Sequence, residues 1–278
     1  MDFELGPRAR TAGYRIEQHD TIGSTNAEGL RHARHGDVGR LWIVSDHQTA
    51  GRGRRGNRWE TPPGNLAASL LYLAEATPST AATLGFVAGL ALDEALRKIV
   101  PTLSVQIGLD AVEPRVVGAG DRLRLKWPND ILLDGGKIGG ILLEAEPVAT
   151  GSLAVVVGIG VNVRSAPEGL PYPTAALATY ATGVDAGDIF YALSDAWTGL
   201  ERLWAGGRGF CRLRDLWLTQ AAGLGEEVTV RVGERLHRGI FDTIDDEGRL
   251  VIRSESGTTR LVSAGEVHFG AMAATARP

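Results

Sequence analysis

Residues 152–163, SLAVVVGIGVNV, are apolar at consecutive positions, where a strand with one wet face would alternate. Such a segment is stable only with both faces covered, so it predicts the central strand of a layered sheet. The rest of the chain can supply the cover. Residues 81–99 set Leu84, Val87, Ala88, Ala91, Ala95 and Ile99 on one helical stripe, and further helical stretches run over 186–205 and 208–222. Companion strands are read at 14–20 (YRIEQHD), 41–46 (LWIVSD) and 65–74 (NLAASLLYLA). RLRLKWPND, ILLD and KIGGILLEAE continue the series, with Gly135-Gly136 expected to turn the last two into a hairpin. Between the first strands, STNAEGLRHARHG reads as a helix with Thr25 and Glu28 at capping-box spacing. The stretch 101–121 is poorly periodic and reads as a surface insertion.

From Leu224 the character changes. EEVTVRV, LHRGIFDTI, RLVIRS and TTRLVS are short alternating strands separated by Gly233, Gly248 and Gly257, with Val228, Val230 and Val232 on one face and Thr229 and Arg231 on the other. They predict a small barrel of about 45 residues, close to the lower limit of independent stability, which should therefore lean on the larger unit. The expected organisation is an N-terminal extension (1–13), a large α+β unit (14–222), the barrel (223–270) and a tail (271–278).

The chain of 278 residues carries 29 basic and 33 acidic side chains, a net charge of −4, so any anion site must be local rather than a property of the whole surface. The single cysteine, Cys211, lies in a helical stretch and is expected to be a small buried hydrophobe in a reducing compartment. MDFELGPRAR has no apolar core for a signal peptide, and the most apolar helix is cut off by Asp93 and Glu94. A cytoplasmic protein with no membrane partner is expected.

A local anion site is offered by HQTAGRGRRGNRW (47–59), which places Arg52, Arg54, Arg55 and Arg58 among three glycines with no acid before Glu60. Gly51, Gly53 and Gly56 satisfy G-x-G-x-x-G in letter only. The dinucleotide fingerprint needs a helix to open at once, whereas Trp59 and Pro62-Pro63-Gly64 lead into another strand. No H-R-D or D-F-G element supports a kinase, and DGGKIGG lacks the hydroxyl residue after Lys137 that a P-loop requires. What remains is a loop able to aim backbone N–H groups and guanidinium forks at a carboxylate or phosphate. On the loop alone, a small anion, a solvated turn and a nucleic-acid patch all stay open.

A second constellation narrows the choice. Lys126, Asn129, Asp130 and Lys137 sit on or beside a hairpin in KWPNDILLDGGKIGGILLE, Pro128 marks an edge, bulge or strand end, and Asn162 is a polar residue in an otherwise apolar strand. Singly, each is ordinary core polarity; together they look like a site. With GSTN (23–26), HQTAGRGRRGNRW, KWPNDILLDGGKIGGIL (126–142) and GIGVNV (158–163) in that order, followed by a small barrel, the chain resembles the biotin protein ligases over about residues 14–269. Many bacterial relatives carry an N-terminal winged-helix domain; too few residues precede GSTN here to build one, so the single-function form and no DNA partner are expected.

The resemblance implies an α+β fold like the class II aminoacyl-tRNA synthetases, followed by an SH3-like barrel. It also implies a two-step activity: biotin and ATP with Mg²⁺ give biotinyl-5′-adenylate, which acylates one lysine of a biotin carboxyl carrier protein. It places the biotin carboxylate and adenylate phosphate on Arg52, Gly53 and Arg54, with Lys137 stabilising charge in the transition state. Ser24, Thr25, Asn26 and Gln48 match contacts to the ureido end of biotin. Lys126, Asn129, Asp130 and Asn162 fall on the nucleotide side, with Asn162 a reader of adenine. Trp59 is either a cover over the adenylate or a core residue, and Asp130 is the candidate base for the acceptor amine. No tightly held metal is implied beyond the Mg²⁺ of ATP, and a homodimer is compatible with the sequence.

The competing readings are a lipoate-type ligase, a non-catalytic biotin or adenylate sensor, and an RNA-binding module. His32 and His35 are read as a solvated helix face rather than metal ligands, because no carboxylate cluster accompanies them in sequence. Asp245-Asp246-Glu247 is read as a barrel turn.

Overall fold

The computed structural model describes residues 1–104, 122–149 and 151–269. In chain order the larger unit comprises α1 (Pro7–Thr11), β1 (Arg15–His19), α2 (Thr25–Arg34), β2 (Leu41–Ser45), β3 (Leu66–Ala74), α3 (Pro78–Ala82), α4 (Leu84–Ile99), β4 (Leu123–Lys126), β5 (Asp130–Leu133), β6 (Gly136–Pro147), β7 (Leu153–Val161), α5 (Ala186–Trp204) and α6 (Phe210–Thr219). The strands form one sheet in the order β1-β2-β3-β7-β6-β5-β4, parallel between β1 and β2 and antiparallel elsewhere. The doubly apolar segment is thus the middle strand, buried from Ala154 to Val161.

Strand pleating sorts the cover. Trp42, Val44, Leu70, Val155 and Val157 point into a core shared with α4, α5 and α6, while Leu41, Ile43, Leu71, Ala154 and Val156 pack on the other face against Ala33 of α2. α4 is buried on nearly all sides, because Phe86, Leu90, Leu92 and Leu96 add to the single stripe read from sequence. The N-terminal extension is tied down: Phe3, Leu5 and Ala9 are buried, the Gly6 N–H donates to Ser194 Oγ at 2.9 Å, and the Arg8 N–H donates to Asp195 Oδ1 at 2.8 Å.

Local details correct the sequence reading. Ser24, not Thr25, caps α2, its Oγ accepting from the Ala27 N–H. Glu28 points outward to Arg31 rather than back at the cap. The β5–β6 turn centres on Asp134-Gly135, one residue early, since these two carry the positive φ angles (48° and 81°) that a two-residue hairpin turn requires. Asn162 lies one residue beyond β7. Cys211 is exposed, not buried. The insertion read at 101–121 lies outside the described residues from 105 onward, as does the tail.

The second unit contains β8 (Glu227–Val232), β9 (Arg235–Ile244), β10 (Leu250–Arg253), β11 (Thr259–Val262) and β12 (Glu266–Phe269), an antiparallel sheet in the order β11-β10-β9-β8-β12. β12 is not among the strands expected from sequence; its pairing with β8 makes it one. Val228 and Val230 are buried as expected, but Val232, at the end of its strand, is exposed, and Thr229 on the supposedly wet face is buried. Asp245 does build a turn, accepting the Glu247 and Arg249 N–H groups. This turn docks on the larger unit: the Trp127 indole N–H donates to Gly248 O at 3.1 Å, and Arg214 of α6 pairs with Asp246 at 2.5 Å. One apolar core runs through both units. Among the described residues no helix is long and apolar enough to cross a membrane.

Candidate active site

Beneath α2 the sheet face is built of Ile43, Leu71 and Val156; beyond the helix N-terminus the same face continues as Gly158 and Gly160, flanked by Ser69 and Ala67 on β3 and by Leu142 and Gly140 on β6. The loss of side-chain volume opens a trough in the middle of the sheet. It is the floor of a cleft of about 1020 Å³ walled by residues 52–60, by the β4–β6 hairpins, by 167–174 and by β12 of the barrel. Seven lysine and arginine side chains line it against four carboxylates, so a molecule of net negative charge carries a positive pocket.

The Arg54 guanidinium donates to Asn129 Oδ1 at 3.0 Å, joining the arginine loop to the KWPND turn. Burial, then the neighbouring Arg55 charge, pushes its pKa down against Asp130 and Glu266, although a guanidinium stays charged in any case. Arg52 and Arg55 find acids from distant strands, Glu144 at 3.2 Å and Glu266 at 3.7 Å. Among the described residues Arg54 has no such carboxylate partner, which leaves its charge open to a ligand. The Gly53 N–H donates to Asn57 O at 2.8 Å and the Trp59 N–H to Gly51 O at 3.0 Å, so the loop's amides close the loop on itself. The expectation that Gly53 backbone faces an anion does not hold in this conformation, in which its N–H is taken by Asn57 O.

Lys137 Nζ stands 2.6 Å from Asp130 Oδ1, a close charge contact, with the Trp59 and Tyr172 rings 5.6 and 5.7 Å away. Lys126 lies 5.5 Å over the Phe269 ring; burial, with Lys137 adding and Asp130 opposing, holds its ammonium below the usual lysine range. The Trp59 indole rests on the glycine floor: a β-carbon at Gly160 would overlap it, and one at Gly140 would come within 3.3 Å. Trp59 is therefore part of the cleft itself.

At the other end, Ser24, Thr25, Asn26 and Gln48 all line the cleft but are already cross-linked. Gln48 Oε1 accepts from the Thr25 N–H (2.9 Å) and hydroxyl (3.1 Å), and its amide donates to Thr61. Ser69 donates toward Thr25 Oγ1 (2.7 Å) and Asn26 Oδ1 (2.6 Å), and Asn26 Nδ2 donates to Glu144 at 2.8 Å. Asn162, 2% exposed, donates to Lys137 O and Ala175 O, while its own Oδ1 is buried without a partner among the described residues, an acceptor that a ligand amino group would satisfy.

All the residues singled out from sequence thus gather at one cleft. Those missed are Ser69, Glu144, Tyr172, Arg231 and His268. Ser69 had a signal, a hydroxyl in the apolar run NLAASLLYLA; the others reach the site through long-range pairing that no local pattern encodes.

Residues 15–162 match the Biotin/lipoate A/B protein ligase family, and residues 223–270 match the Biotin protein ligase C terminal domain. The biotin–acetyl-CoA-carboxylase ligase of Paracoccus denitrificans is 39% identical over 253 residues, covering 89% of this chain and 97% of that protein. Its counterpart from Mycobacterium tuberculosis is 34% identical, covering 92% and 90%. The biotin protein ligase of Aquifex aeolicus, solved in complex with biotin and ATP, superposes with a TM-score of 0.69 at 25% identity over 91% of this chain and 97% of its own.

Proposed function

Since the chain belongs to the biotin/lipoate A/B protein ligase family, we propose that it activates biotin with ATP as biotinyl-5′-adenylate and transfers the biotinyl group to a lysine of a biotin carboxyl carrier protein. The observation that carries this reading is the joining of Arg54, Asn129, Asp130 and Lys137, from two distant segments, above a floor stripped of side chains. In the first step a carboxylate oxygen bonds to the α-phosphorus, the α–β bridging P–O bond breaks and pyrophosphate leaves. Two anions must meet, and Arg54 and Lys137 offset their repulsion and hold them in line. Biotin lies toward Ser24, Thr25, Asn26 and Gln48, with Arg52 near its carboxylate; adenine lies against Asn162, with Lys126 and Asn129 toward the phosphates. Mg²⁺ would arrive on the ATP phosphates, as this ion is held largely by substrate oxygens, and Asp130 and Glu266, cleft carboxylates now paired with Lys137 and Arg55, would be the ones nearest to turn to it.

In the second step the acceptor amine attacks the carbonyl, AMP departs and one proton is lost. Asp130 is assigned to take it, once its 2.6 Å contact with Lys137 loosens. Residues 14–222 are assigned to this chemistry and 223–270 to the barrel that closes the cleft, and the protein is placed in the cytoplasm. The match over 223–270 favours biotin over lipoate. The test is incubation of the pure protein with biotin, ATP, Mg²⁺ and an apo carrier domain: a biotinyl mass increment on one carrier lysine supports the reading, and its absence while lipoate is accepted instead overturns it.

A further inference from the structure

The reading of His32 as a solvated residue changes once the fold brings β1 beside α2. Glu17 and His19 are i and i+2 on a strand, and Glu28 and His32 are i and i+4 on a helix, so each pair shares a face, and the two faces meet. Glu17 receives both imidazoles, His19 Nε2 on Oε1 at 2.7 Å and His32 Nε2 on Oε2 at 2.8 Å. His32 Nε2 is also 3.6 Å from Glu28. Ligand atoms of Glu17, His19 and Glu28 all lie within 4.8 Å of one another. The outer ring nitrogen of His32 faces Asp37 at 3.9 Å, and Asp37 is itself fixed by Arg15 (2.5 Å) and the Gly39 N–H (2.8 Å). A carboxylate behind a ligating histidine is the usual support of a metal site.

We propose that Glu17, His19, Glu28 and His32 form a surface site for a first-row divalent cation of the Zn²⁺ class, clamping α2 to β1 away from the catalytic cleft. Two imidazoles and two carboxylates suit Zn²⁺ in type and number. Arg31 marks the place where positive charge is wanted: its guanidinium sits on Glu28 at 2.5 Å and within 3.4 Å of His32 Nε2. Its side chain lies half in solvent, and while it holds Glu28 it competes with the cation rather than completing the site.

The test is calorimetric titration of metal-stripped protein with ZnCl₂. Wild type should take one equivalent, and His19→Ala or His32→Ala should weaken that binding by at least about tenfold, with Asp37→Asn weakening it by about tenfold. Arg31→Gln, which removes the competing cation, should tighten it. His35→Ala is the control, since that ring bonds Arg31 O at 2.7 Å and is not among the four proposed ligands. Zinc binding that is insensitive to His19 and His32, that falls equally on loss of His35, or that weakens in Arg31→Gln would overturn the proposal, as would no binding at all; none of these outcomes bears on biotin transfer.

Discussion

Lys137 and Asp130 touch each other, yet the two steps ask different things of them. On the proposed function, replacing Lys137 with Met removes the cation assigned to the developing pentacoordinate charge, so the rate of adenylate formation should fall by about two to three powers of ten. Asp130→Asn should slow transfer from preformed biotinyl-adenylate more than it slows adenylate formation. Rapid-quench assays of the isolated half-reactions separate these outcomes, and an Asp130→Asn enzyme with normal transfer would remove the base role. Arg54, Asn129, Asp130 and Lys137 were legible in the sequence because motif letters fix side-chain chemistry. The Gly53 amide was not, since whether an N–H points at a ligand or at Asn57 O depends on loop dihedrals that glycine leaves free. Likewise Glu144, remote in sequence, is what neutralises Arg52.

Elements carry the site's shape. The stretch 152–163 announced a central strand, but its Gly158 and Gly160 gain meaning only from register, which sets them beside Ser69, Ala67, Leu142 and Gly140. Gly160→Val suits a strand backbone and yet collides with the Trp59 indole. Its circular dichroism should match wild type while Trp59 is displaced and adenylate affinity falls at least about tenfold, the loss expected when well-placed contacts worth more than about 1.4 kcal/mol are removed. Unchanged affinity would show that the floor need not be bare. β12 brings His268 to the cleft, where burial, then Lys126, lowers its pKa from 6.5. The unfolded chain therefore binds more protons below pH 6.5, so this histidine makes stability fall as pH drops through that range. His268→Asn should flatten that acid limb in denaturant titrations run at several pH values; an unaltered slope would mean the ring is solvated. β12 is no shorter than β10 or β11, and what makes it a strand is its long-range pairing with β8, which no local pattern encodes.

At the scale of the molecule, the barrel was expected to lean on the larger unit, and its Gly248 turn, Trp127, Phe86 and Phe210 meet in one continuous core. Calorimetry should therefore show one unfolding transition. Trp127→Phe, which deletes the donor to Gly248 O, should lower it by roughly 2–4 °C per kcal/mol on a loss of about 0.5–1.5 kcal/mol; two separated transitions would mean independent units. The central claim is that side-chain cations, Arg54 above all, hold the mixed anhydride in the cleft until an acceptor arrives. The most direct measurement is the dissociation rate of preformed biotinyl-adenylate from wild type and from Arg54→Gly. Loss of one charge-assisted contact of about 1.5–3 kcal/mol should speed release by about one to two powers of ten and spread labelling to unrelated lysines. Equal release rates, with labelling still confined to the carrier, would contradict the account.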